Sequence, residues 1–159
     1  MSIIEVSRYQ PMTDPDDPDD WRPNSEWSLV IDPGDERGTV RDLSLLFEHM
    51  APGDRIPLHR HPVDETVVLE AGRLEYELGD ERRRIEAGAV VFIPRMTPHA
   101  CTNPGLEPAR IHAVFTTEVL AIEYLERNPA PGTEGDPPLP QWRIDLRTGE
   151  RSGNTPDWA

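Results

Sequence analysis

The stretch from Arg73 to Glu86 constrains the chain more than any other. Gly79-Asp80 suits the two-residue turn of a β-hairpin. Folding there sets Glu77 against Arg82, Glu75 against Arg84 and Arg73 against Glu86, three opposite-charge pairs on one face. Leu74 meets Ile85 on the other face. A slip of one residue would send every side chain to the wrong side, so the pattern specifies its own register. Exposed pairs of this kind contribute about 0–1 kcal/mol each, so they mark the wet face more than they stabilise it. Arg83 is the misfit, since it shares the apolar face with Tyr76, and a place at the rim is expected for it.

Around this hairpin, residues 28–126 read as short strands between turn signals, with no long helical pattern. That predicts an all-β sandwich or barrel. The segment Ile122 to Glu126 fits either a strand or one helical turn. Residues 1–27 form a Pro- and Asp-rich arm with Trp21 and Trp27 as anchors, and residues 127–159 an irregular tail that Trp142 and Ile144 pin to the body. A length of 159 residues suits one domain with a core that needs no disulfide. Cys101, the single cysteine, has no internal partner for one, which fits a reducing compartment. The start MSIIEVSRYQ lacks the pattern of a secretory signal, and no apolar run approaches a membrane span. A soluble, cytoplasmic protein is expected.

The net charge of -14 argues against nucleic acid as a partner, because phosphate binding needs clustered Lys and Arg. Five carboxylates fall between Asp14 and Asp20. Pro15 and Pro18 stiffen that segment and its spacing is not that of a calcium loop, so a solvated arm is expected. No P-loop, dinucleotide-binding glycine pattern or nucleophile elbow is present in the sequence, and no nucleotide cofactor is indicated.

Two compact patterns carry the chemistry. The first runs Gly53, five residues, His59-x-His61, three residues, Glu65, six residues, Gly72. The second runs Gly88, five residues, Pro94, four residues, His99, three residues, Asn103. Residues two apart on a strand share a face, so His59 and His61 can chelate one ion. Pro62-Val63-Asp64 can turn the chain and bring Glu65 back to it, and His99 is expected to close the site from the facing sheet. Three neutral nitrogens and one carboxylate suit divalent Fe, Mn, Ni, Co, Cu or Zn.

These patterns resemble the two motifs of the cupin superfamily, and the likeness extends over about Leu43 to Thr116. The second motif departs at Met96, where the family usually has Gly. A somewhat different turn is expected there, with the Met96 side chain over the mouth of the site. The resemblance implies a double-stranded β-helix, the jelly-roll barrel of the cupin fold, with irregular N- and C-terminal arms and one divalent transition metal inside. Pro57 to Pro62 and Phe92 to Arg95 are most similar to the quercetin dioxygenase-like cupins. A metal-dependent, dioxygenase-like enzyme acting on a small organic molecule is the leading expectation. Glu65 is its candidate catalytic residue, a carboxylate that could loosen from the metal and accept a proton. The alternatives are an O2-independent isomerase, lyase or decarboxylase, and a non-catalytic binding or sensing module.

Tyr76, Met96, Cys101 and His112 are candidates for the pocket wall. Strand alternation favours an outward His112, with a pocket role as the alternative; His49 is equally ambiguous, while Glu48 and Asp64 are expected to face solvent. Val67, Leu69, Leu74, Tyr76 and Phe92 are expected to make the interior mostly apolar. A homodimer is expected, in which Ile3-Ile4-Glu5-Val6 adds to a neighbouring subunit's sheet.

Overall fold

The computed structural model describes residues 9–12, 19–30, 42–137, 142–145 and 151–152, and among them every regular element is a β-strand. The strands are β1 (Gln10–Pro11), β2 (Glu26–Val30), β3 (Ser44–Met50), β4 (Arg55–Arg60), β5 (Glu65–Ala71), β6 (Arg73–Leu78), β7 (Glu81–Glu86), β8 (Val90–Ile93), β9 (His99–Thr102), β10 (Ala109–Phe115), β11 (Val119–Tyr124), β12 (Trp142–Asp145) and β13 (Arg151–Ser152). One sheet has the order β1-β2-β3-β10-β5-β8 and the other β13-β12-β11-β4-β9-β6-β7. The strand pairings within both sheets are antiparallel among the described residues, as in a jelly-roll barrel. No helix among the described residues is long and apolar enough to cross a membrane.

The hairpin β6–β7 has the register read from the sequence: Glu77 opposes Arg82, Glu75 opposes Arg84, Arg73 opposes Glu86 and Leu74 opposes Ile85. Gly79 opens the turn with φ +56, a conformation that costs an L side chain energy. Arg83 is exposed and pairs with Glu81 on its own strand.

Strand alternation places the core between the sheets. On β10, Ala109, Ile111, Ala113 and Phe115 are buried, while Arg110, His112 and Val114 take the other face. On β5, Glu65, Val67 and Leu69 point inward. Leu69 and Leu74 are wholly enclosed, and truncating either to Ala should cost about 2–5 kcal/mol. Gly72 lets β5 turn into β6 tightly against β10; a Cβ there would lie 3.0 Å from the Ala109 Cα.

The N-terminal segment is built into the barrel from Asp19 onward. β2 pairs with β3 along Glu26–Val30, and Trp21 N–H donates to the Asn128 carbonyl at 2.7 Å. Asp19 and Asp20 are buried, which corrects the expectation of a solvated acidic run at this end; Asp14 to Asp17 lie outside the described residues. Each of the two buried carboxylates has an arginine: Asp19 meets Arg127 and Asp20 meets Arg22. The 122–126 segment is strand through Tyr124, after which Leu125 and Glu126 N–H both donate to Leu58 O. In the tail, β12 pairs with β11. The side chains of Trp142 and Ile144, and the segment Ile3 to Val6, lie outside what is described.

Candidate metal centre

His59 lies near the end of β4, His61 just beyond it, Glu65 opens β5 and His99 opens β9. β9 is the neighbour of β4, with His59 and His99 as direct Cα partners. The three imidazoles therefore come from one sheet. Glu65 comes across the interior from the other sheet, which corrects the expectation that His99 would close the site from the facing side. A register shift between Ile56 and His59 accompanies this convergence.

One candidate ligand atom from each of the four residues lies within 4.8 Å of all the others, and all four residues are buried. Each imidazole is oriented by a backbone carbonyl. His59 Nδ1 lies 2.7 Å from Pro57 O, His61 Nδ1 2.9 Å from Ala121 O and His99 Nδ1 2.9 Å from Thr97 O. A carbonyl can only accept, so Nδ1 carries the proton in each ring and Nε2 presents a lone pair. Burial, then the neighbouring His99 and His61, hold the His59 pKa well below the usual imidazole value. Burial also lowers the His61 pKa, against the pull of Glu65.

The remaining atoms make the case for a cation. His99 Nε2 and Glu65 Oε2 face each other at 3.0 Å, and His61 Nε2 lies 3.5 Å from the same oxygen. With the Nδ1 protons committed, these are acceptors pointing at acceptors. Glu65 Oε2 and His99 Nε2 are accordingly both buried without a hydrogen-bond partner. Unmatched buried acceptors are costly, and a divalent ion shared among them relieves that cost. The donor set fits such an ion.

Beside this group is a cavity of about 140 Å3. Trp27, Val67, Tyr76, Phe115 and Ile122 contribute to its largely apolar wall. Tyr76 and Cys101 lie on its wall, and burial raises the pKa of both, so phenol and thiol stay protonated at neutral pH. Leu69 and Leu74 belong to the core away from this wall. Phe92 does not face inward: it is 71% exposed, because the phase of β8 buries Ile93 instead.

Met96 and His112 are not pocket residues. Met96 adopts φ +63, the conformation that Gly would have supplied, and donates its N–H to His61 O at 2.6 Å. The turn is thus kept despite the side chain, which lies off the cavity wall. His112 takes the outer face of β10, packs on Phe47 at 4.5 Å and meets Glu70 at 3.0 Å. His49 also faces away from the cavity, stacked on Tyr9 at 4.2 Å and bonded to Glu26. Asp64 is exposed, as expected, and accepts from Arg95 N–H.

Glu48 reverses its expectation. It is buried, and it lines the cavity together with Arg22, Asp20 and Tyr124. Arg22 donates through Nε and Nη2 to the two oxygens of Asp20, at 2.9 and 2.7 Å, and through Nη1 to Glu48 Oε1. Tyr124 O–H donates to Asp20 Oδ2 at 3.4 Å. Burial pushes the Glu48 pKa up to about 6 against the pull of Arg22. Burial opposes the charge on Arg22, but Asp20 and Glu48 together hold its pKa above the ordinary value. The only sequence signal for Glu48 was its alternation phase, shared with Leu46 and Met50 on β3, and a carboxylate in that phase reads equally well as outward.

Comparison with known proteins places these observations. Residues 46–115 match the cupin domain family. A search of curated proteins gave no match. Among solved structures, KdgF from Halomonas sp. is similar with a TM-score of 0.54 and 19% identity, over 69% of this chain and 86% of that one. Lactobacillus farciminis oxalate decarboxylase, in a formate complex, is similar with a TM-score of 0.57 and 20% identity, over 64% of this chain and 31% of that one. The S161A mutant of Bacillus subtilis oxalate decarboxylase OxdC gives 0.55 and 19%, over 64% and 28%. The chain thus spans less than a third of either decarboxylase. Identities this low establish a shared fold and nothing further.

Proposed function

We propose that this chain, whose residues 46–115 match the cupin domain family, is a cupin that binds one divalent transition metal through His59, His61, Glu65 and His99 and acts as a metal-dependent enzyme on a small organic molecule. The observation that carries the reading is the pair of partnerless buried acceptors, Glu65 Oε2 and His99 Nε2, 3.0 Å apart beside an apolar cavity. When bound, the ion would act as a Lewis acid and template, and iron there would also support O2 chemistry of the dioxygenase kind. The protein's own contribution is orientation and exclusion. The three Nδ1–carbonyl bonds fix the rings, and the apolar wall keeps bulk water from the bound molecule. A cavity of about 140 Å3 is close to the ~150 Å3 that accommodates benzene, so a single-ring or shorter compound is the fitting substrate class.

An O2-independent reaction is the second reading, and Glu48 favours it. Such chemistry needs a group near the metal that exchanges a proton close to neutral pH. Tyr76 and Cys101 are held protonated and His112 lies outside, whereas Glu48 lines the cavity with a pKa of about 6. Elemental analysis of purified protein tests the metal, and the expected content is one ion per chain, lost in His59→Ala and His99→Ala and retained in Asp64→Ala. Full occupancy in both histidine variants would place the ion elsewhere. O2 consumption against a panel of single-ring compounds, with parallel anaerobic turnover, separates the two chemistries.

A further inference from the structure

The cavity has two polar ends, and only one is accounted for by the metal ligands. The other is the Asp20–Arg22–Glu48 cluster. In this cluster Asp20 takes two hydrogen bonds from Arg22 and one from Tyr124, so both its oxygens are engaged. Glu48 is different. Its Oε1 accepts from Arg22, and its side chain lines the cavity wall, where Oε2 is the oxygen left to face a bound molecule. The residue is only 3% exposed, so what reaches this carboxylate is what occupies the cavity, and a donor bound there can hydrogen-bond to it.

The placement of the two ends sets the length of what could join them. Glu65 and Glu48 lie on the same sheet, two strands apart through β10. Glu65 is level with Phe115, and Glu48 is level with Ile111, four residues along. With strands ~4.8 Å apart and ~3.3 Å per residue, the two Cα atoms are separated by at most roughly 16 Å. Both side chains reach inward and take up several ångströms of that span, which leaves about the length of one ring.

We infer that Glu48 is a substrate-binding residue, accepting through Oε2 a hydrogen bond from a hydroxyl or amino group of a short ligand whose other end carries the oxygen atoms that reach the His59, His61, Glu65 and His99 group. Arg22 is a positioning residue: its bond to Oε1 fixes the carboxylate, and Asp20 fixes the arginine. The chemical class is a single-ring or comparably short acid or enol with a donor at the remote end. This deepens the proposed function and rests on it for the metal end alone.

Calorimetric titration with benzoate and 4-hydroxybenzoate provides the test, using metal-loaded and chelated full-length protein, wild type and Glu48→Gln. Wild type is expected to prefer 4-hydroxybenzoate by about tenfold, in keeping with a hydrogen bond to a charged group. Glu48→Gln should reduce that preference below threefold (about) while leaving benzoate affinity and metal content unchanged. Glu48→Asp keeps a charge for Arg22 but withdraws the oxygen by one methylene, and it should show the same loss if the glutamine variant fails to fold. No preference in wild type, an undiminished preference in either folded variant, or no binding of either compound at millimolar concentration would overturn the assignment. A preference that depends on Glu48 while benzoate binding survives chelation unchanged supports the role of Glu48 and counts against the metal end instead.

Discussion

The β6–β7 hairpin and the cavity both hold charged side chains in contact, yet they make opposite use of them. On the hairpin, Arg84 meets Glu75 at 2.6 Å and Arg82 meets Glu77 at 3.0 Å, with both arginines largely in water. In the cavity, Arg22 meets Asp20 at 2.7 Å and also meets Glu48, with all three side chains at least nine-tenths buried. The distances are alike and the surroundings are not. Water would solvate the hairpin charges equally well apart, so their pairing is worth little. The cavity charges have already lost their water, so each depends on the others. An ion-pair distance therefore says little about energy until burial is known.

Arg22→Met gives the sharpest contrast. It leaves Asp20 and Glu48 enclosed without their cation, and urea denaturation should show a loss of about 3–5 kcal/mol. A loss below about 1 kcal/mol would mean that water reaches the cluster, and the contrast with the hairpin would fail. Removal of metal comes next. If free ion stands at a hundredfold its dissociation constant, chelation should lower stability by about 2.7 kcal/mol, and Glu65→Ala should abolish most of that difference.

A pH effect follows in the chelated protein. Burial holds the His59 and His61 pKa values below the ordinary 6.5, so in the fold they resist protonation while the unfolded chain accepts it. The unfolded state then binds more protons, and stability must fall as pH drops through and below about 6.5. Thermal melts at pH 7.5 and 5.5 should show the lower midpoint at 5.5, with a smaller difference in His59→Gln. At the other extreme, Arg84→Ala should cost less than about 0.5 kcal/mol, and less still in high salt.

The same contrast explains what could be read from the chain. The hairpin was legible to the residue because its pairs are local and its period is 2, so turn, register and wet face agreed. The four candidate ligands were legible because their spacing is dictated by strand ends and glycine turns. The sheet of origin of His99 was not, since strand order depends on contacts distant in sequence. Glu48 and Arg22 were illegible for a related reason. They meet across 26 positions, and each taken singly looks like an ordinary surface residue. Phe92 misled in the opposite direction, because hydrophobicity alone does not give the phase of an edge strand, and Ile93 had an equal claim to the interior.

The three carbonyls that hold His59, His61 and His99 have a consequence for supply. Pro57, Thr97 and Ala121 aim the rings through backbone carbonyls, contacts that the fold itself supplies. The orientation of the receptacle is therefore set by the backbone of the fold. A receptacle with nitrogen and oxygen donors discriminates weakly among first-row ions, so its contents should follow whichever metal is abundant and exchangeable where the chain is made. Protein produced in media of different metal content should then carry different ions in an unchanged scaffold, and any activity should track the growth medium as closely as it tracks the sequence.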